Sequence, residues 1–178
     1  MLIAINKKIL FLILFSVVFI SGCISQQQGG LREYEESSYS ISYPSNWVKN
    51  KGIEFDVVFL APRQDDFSAN LGITVASLSE EEKLQTLDEI VNTIKQLQSE
   101  DYPEYKVISE NHLTISDKSA FKRVYGWYSS EYKLDVTQIQ VFLIKDDTSY
   151  IITATSLSDK FDEYEPTFME MINSFQLK

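Results

Sequence analysis

The sequence predicts an α+β domain, a central antiparallel sheet covered by helices on both faces, preceded by a signal peptide and a flexible tether. Three observations predict it. Short apolar runs alternate with polar residues and are joined by turns of a few residues, which favours antiparallel neighbours over crossover connections. One run, residues 136–144, is apolar on both sides: Ile139, Val141 and Leu143 share one face, while Val136, Phe142 and Ile144 share the other. A strand of that kind must be covered twice. Two stretches of helical period supply the cover: Leu87, Ile90, Val91, Ile94 and Leu97 in mid-chain, and Phe168, Met171, Ile172 and Phe175 near the end.

The chain divides into three parts, residues 1–22, 23–36 and 37–178. Lys7 and Lys8 precede an apolar run at residues 9–20, broken only by Ser16, and the run ends in Ile20-Ser21-Gly22-Cys23. A basic start, an apolar middle and small residues at a cleavage point make a secretory signal. Ile20-Ser21-Gly22-Cys23 resembles the lipobox of prokaryotic lipoproteins, which implies a diacylglyceryl group on Cys23 and makes that residue the first of the mature chain. The other reading is an uncleaved anchor, because residues 1–5 lengthen the apolar stretch towards the ~20 residues of a spanning helix. Either reading attaches the chain to a membrane and places the rest outside the cytoplasm. Residues 24–36 (ISQQQGGLREYEE) are polar and read as a flexible tether.

Within residues 37–178, Tyr39, Ile41 and Tyr43 alternate with serines, so a strand begins the domain. Pro44 stops it and Ser45-Asn46 turns the chain, delivering Trp47 to the core. Residues 55–61 (FDVVFLA) and 71–78 (LGITVASL) are two more strands. Thr86-Leu87-Asp88-Glu89 has the form of a capping box and starts the first helix; Ser79-Glu80-Glu81-Glu82 has the same form. Strands are expected at 105–109, 113–115, 120–128, 134–144 and 149–157, with turns at Ser116-Asp117-Lys118, Ser129-Ser130 and Asp146-Asp147. Pro166, a favoured first-turn residue, marks the expected start of the last helix.

Composition narrows function. Two of the 16 basic residues (Lys7, Lys8) and no acidic one precede Cys23, leaving 14 basic against 26 acidic residues, a net −12. That balance opposes nucleic acid, which needs clustered Lys and Arg to displace counterions. Cys23 is the only cysteine, so once it is lipidated the domain has no disulfide and relies on its core. Hydrophobic residues at 44% and 11 Phe with 10 Tyr are enough for such a core. A domain that folds as a monomer is expected.

Catalytic groups are sparse. His112 is the single histidine and alternates with Leu113, which makes it a solvated strand residue. Carboxylates cluster at Asp65-Asp66, at residues 80–82, at Asp146-Asp147 and at Asp159, Asp162 and Glu163. The last three share a helical face at i, i+3 and i+4 and are the best candidates for a weak divalent-cation site, although acids at a helix start also serve the dipole. Tyr125, Trp127, Tyr128 and Tyr132 crowd around the Ser129-Ser130 turn, and Trp127, Tyr128 and Tyr132 are the candidate contact patch, since Tyr and Trp are favoured at interfaces.

Tyr39-x-Ile41-x-Tyr43-Pro44-x-x-Trp47, Leu113-x-Ile115 with Ala120 and Tyr125, Tyr150-Ile151-Ile152-Thr153-Ala154, and Phe168-x-x-x-Ile172-x-Ser174-Phe175 together resemble the PsbP-like family. The resemblance spans residues 37–178 and implies a central antiparallel sheet between helices. Members commonly carry Gly where this chain has Ser116-Asp117-Lys118. It further implies a non-catalytic accessory or binding domain, secreted or lipid-anchored in prokaryotes, and the short tether places a partner at the membrane as well. No enzyme activity and no cofactor are expected; the alternative is a carrier or sensor of a small ligand or divalent cation, and a hydrolase ranks last for want of a nucleophile beside a base.

Overall fold

The computed structural model describes residues 30–52, 55–64, 67–130 and 133–178. The signal segment, Cys23, Asp65, Asp66 and Tyr132 lie outside the described residues. Among the described residues ten strands form two antiparallel sheets, accompanied by two α-helices. The smaller sheet joins β1 (Leu31–Glu35), β2 (Tyr39–Pro44) and β10 (Gln176–Leu177), with β2 in the middle. The larger has seven strands in the order β3 (Val48–Asn50), β4 (Val57–Leu60), β5 (Asn70–Ser77), β9 (Thr148–Leu157), β8 (Leu134–Lys145), β7 (Lys118–Ser129) and β6 (Lys106–Ile115).

Residues 31–35 correct the extent of the tether. They form β1, which runs antiparallel to β2 with Leu31 opposite Pro44 and Glu35 opposite Ser40. Only Tyr34 of the five turns inward, its ring edge-on to Phe59 at 5.7 Å. Two further expectations are also corrected. The stretches 105–109 and 113–115 are one strand, β6, because Glu110, Asn111 and His112 continue the ladder opposite Arg123, Lys122 and Phe121. The last helix, α2 (Phe161–Asn173), begins five residues before Pro166, so that proline sits inside the helix and forfeits one backbone bond.

Register sorts side chains onto two faces. Ile139, Val141 and Leu143 of β8 lie on the same side as Ile152 and Ala154 of β9 and Leu71 and Ile73 of β5. This side packs with Phe168, Met171, Ile172 and Phe175 of α2, and with Tyr39, Ile41 and Tyr43 of the small sheet, in one buried cluster. Trp47 enters it as expected, edge-on to Phe168 at 6.1 Å. Helix α1 (Leu87–Asp101) is bonded to the opposite parity of β7 and β8, through Arg123, Tyr125 and Gln140. It starts at the expected cap: Thr86 Oγ1 accepts from the Glu89 N–H at 3.3 Å, and the Thr86 N–H donates to Glu89 Oε2 at 2.7 Å. The second box forms too, Ser79 and Glu82 exchanging bonds ahead of a 3₁₀ turn at Glu82–Leu84.

The β6–β7 turn gives Ser116 a structural role. Ser116 and Asp117 adopt φ of 50° and 58°, a left-handed pair that suits the twist of a two-residue hairpin. Glycine would reach that conformation with less strain. Ser116 offers something glycine lacks: its Oγ accepts the Leu177 N–H at 2.8 Å and so fastens the end of the chain to the turn.

Candidate functional site

Alternation along β7 puts Arg123, Tyr125 and Trp127 on the face beneath α1, and register sets them against Gln140, Gln138 and Val136 of β8. Gln140 and Gln138 in turn oppose Thr153 and Thr155 of β9. A polar seam results. Gln138 Nε2 donates to Thr155 Oγ1 at 2.8 Å, Gln140 Nε2 donates to Thr153 Oγ1 at 3.3 Å, and Trp127 Nε1 donates to Gln138 Oε1 at 3.2 Å. Helix α1 lays Gln98 across it, donating to Tyr125 Oη at 3.1 Å and to Gln140 Oε1 at 2.8 Å. Each amide finds partners in the seam, Gln98 and Gln140 in one another and all three in Tyr125, Trp127, Thr153 or Thr155, which avoids the penalty of burying them unpaired. Sequence reasoning missed Gln98, Gln138 and Gln140, because nothing local to any of them announces seam partners 11 to 42 residues away.

An aromatic wall closes the seam at the end of α1. Tyr102 stacks on Trp127 with centroids 4.3 Å apart and planes 12° apart, and Tyr105 tilts against Tyr125 at 5.1 Å. Phe67 and Val136 complete the cluster. Burial, then the neighbouring Tyr102 and Tyr105, push the Tyr125 phenol well above its ordinary pKa, so it stays a neutral hydrogen-bonding group.

Beside the wall lies a charged group the sequence reading also passed over. Arg123 is 0% exposed. Its Nε donates to Glu110 Oε1 at 2.7 Å, Nη2 donates to the Val91 carbonyl at 2.9 Å, and Nη1 finds no hydrogen-bond partner among the described residues. Glu110 accepts from Lys95 as well, at 3.0 Å. Burial alone would raise the Glu110 carboxyl, but the bonds from Arg123 and Lys95 outweigh it and hold the group below the usual carboxylate range. The signal was present: an arginine that shares parity with Tyr125 and Trp127 must be inside with them.

The candidate contact patch is redrawn. Trp127 is 8% exposed and stacked, so it belongs to the core and not to a free surface. Large rings with a hydrogen-bond acceptor within reach gain more from burial than from water. Tyr128, on the opposite parity, is half-buried, and its N–H donates to the Pro103 carbonyl at 2.9 Å. Tyr132 is outside the described residues.

The carboxylate trio is brought to one end of α2 without forming a site. Asp159 lies in the 3₁₀ turn Ser158–Lys160, Asp162 and Glu163 in the first helical turn, and all three are exposed. Glu163 sits 3.9 Å from Lys160. Among the described residues no three His, Cys, Asp or Glu side chains are grouped to hold a metal ion. The acids instead complement the helix dipole. His112 is solvated as expected, 3.3 Å from Asp88 and edge-on to the Phe121 ring.

Two antiparallel sheets and two helices, with a hydrogen-bonded polar seam beside the main apolar cluster, define an α+β domain. The PsbP family model matches residues 29–177, and the chain belongs to that family. Solved structures share the fold. Cyanobacterial PsbP (CyanoP) from Synechocystis sp. PCC 6803 superposes with a TM-score of 0.63 at 16% identity, covering 89% of this chain and 99% of that one. LpqN of Mycobacterium tuberculosis, described as involved in cell envelope biogenesis, gives 0.62 at 8% identity, covering 86% and 87%. PA94 of Pseudomonas aeruginosa, a protein of unknown function described as a putative regulator, gives 0.59 at 17% identity, covering 82% and 96%. No curated protein sequence matches this chain. Among the described residues no helix is long and apolar enough to cross a membrane.

Proposed function

We propose that the protein is a lipid-anchored, extracytoplasmic member of the PsbP family that acts as a non-catalytic accessory domain for a membrane-associated partner. The observation that carries this reading is Ile20-Ser21-Gly22-Cys23 at the end of an apolar run, with the family domain beginning directly downstream. We read the two helices as layers on either side of the large sheet, the arrangement that leaves strand edges and turns as the contact surface. A carrier would need room for its cargo between sheet and α1; that space holds Gln98 bonded to both Tyr125 and Gln140, which favours the accessory reading over the carrier. With Trp127 in the core, Tyr128 is the described member of the aromatic patch available to a partner.

Intact mass of the protein extracted from membranes tests the anchor. The expected species begins at Cys23 and carries lipid, and Cys23→Ser accumulates as an unprocessed precursor. An unmodified Met1 terminus overturns it. Affinity capture from membranes then tests the partner: Tyr128→Ala is expected to weaken capture while melting like the parent protein, and equal capture would remove Tyr128 from the contact.

A further inference from the structure

The tether is shorter than its composition suggests, and this fixes which end of the domain meets the membrane. Pairing of β1 with β2 takes residues 31–35 into the fold, and the Gly30 carbonyl is already held by the Ser45 N–H at 2.9 Å. Gly30 lies seven residues after Cys23. Fully extended, that length of chain reaches at most about 25 Å, and as a flexible segment about 15 Å. An anchor on Cys23 therefore holds the Gly30 end of the domain within reach of the headgroups.

That end has the chemistry of a lipid contact. Two of the large apolar side chains left in water are there: Leu31, 49% exposed, and Val48, 59% exposed. Leu31 opposes Pro44, and Val48 follows the turn that closes at Trp47, whose N–H bonds the Pro44 carbonyl at 2.9 Å. The two edge strands β1 and β3, one from each sheet, touch through the Lys49 ammonium, 4.7 Å from the Tyr34 ring centroid. In a domain with nearly twice as many acids as bases, residues 30–35 and 43–52 contain Arg32, Lys49 and Lys51 against Glu33 and Glu35, so this end escapes the general acidic excess. Exposed apolar side chains beside cations suit an interface of acyl chains and phosphates. The acidic start of α2 borders this end through Tyr164, which contacts Trp47 at 6.4 Å, so the contact falls on the β1–β3 side.

We infer that Leu31 and Val48, with Lys49 and Lys51 beside them, seat the domain on the lipid surface through apolar contact. This rests on the membrane-attached reading of the N-terminus and adds an orientation to it. The seat leaves the opposite end, with the β6–β7 and β8–β9 turns, facing away from the bilayer.

The test uses the full chain purified from membranes, with its N-terminal mass measured first, in vesicles of phosphatidylcholine and phosphatidylglycerol carrying a lipid-borne quencher. Leu31→Cys, Val48→Cys and Lys118→Cys, each labelled with an environment-sensitive fluorophore, report three positions. A group seated at the headgroup boundary lies ~5–10 Å below the surface, so quenching at 31 and 48 is expected to exceed that at 118 by about twofold or more. Equal quenching at all three overturns the seat, whether the N-terminus proves lipidated or retained. Lipid missing from a chain that still shows the gradient overturns the lipoprotein reading alone, and a chain that fails to stay with the vesicles overturns both.

Discussion

At the scale of single residues, the Glu110–Arg123 pair couples a buried charge to one at the surface. Arg123 is wholly buried while the Glu110 side chain keeps 28% of its surface in water, so the arginine depends on the glutamate more than the reverse. Glu110→Ala leaves an uncompensated buried charge and is expected to cost about 3 kcal/mol, the low end for a broken buried pair because Glu110 is partly solvated. The pair also sets a pH dependence. A carboxyl held below its unfolded pKa of ~4.3 adds stability that is complete above that value and is lost as pH falls through the lower folded value. Melting temperatures of the parent and Glu110→Gln should therefore converge between about pH 7 and about pH 3. Trp127→Ala is expected to cost about 3–5 kcal/mol, as for other buried aromatic truncations, and a denaturant midpoint barely moved would return that ring to the surface.

Among the elements, β1 has the largest consequence for how the protein is handled. A chain begun at Ser37 loses Tyr34 from its packing against Tyr39 and Phe59 and bares one edge of β2. It should melt about 2–3 kcal/mol less stable than a chain begun at Gly30, the amount set by burying one large side chain. Thr86→Ala is expected to cost about 1 kcal/mol by removing half of the α1 cap, measurable in the same denaturant series. The capped start of α1 was legible because both partners of the box lie within four residues. The strand at 31–35 was not, since an edge strand that buries only Tyr34 shows no apolar alternation. Polar Glu110-Asn111-His112 hid the continuity of β6 for the same reason, as the free edge of the sheet is wet on its outer side. Acidic residues before Pro166 hid the first turn of α2, where they serve the dipole rather than the core. The polar seam was illegible altogether, because Gln98, Gln138 and Gln140 acquire their partners only when α1 lands on the sheet.

For the whole molecule, charge and edges argue for a monomer. The net −12 beyond Cys23 repels a second copy, and the bulge between Val107 and Ser109 kinks the long free strand β6. Light scattering on a chain begun at Gly30 is expected to give the monomer mass; a dimer would point to pairing along β6. A different consequence follows from the place of β2. Its second neighbour is β10, and the Ser42 N–H is held by Ser174 Oγ at 2.9 Å across 132 positions of sequence. Tyr39 and Ile41, the first residues of the core to be synthesised, thus wait for nearly the last. At about 5–20 residues per second the ribosome takes roughly 7–26 s to make the intervening chain. Contacts so distant in sequence also slow the search for the native state. The β1–β2 hairpin is made early and finished late, and a chain stopped short of Ser174 holds that hairpin with one side of its middle strand unpaired.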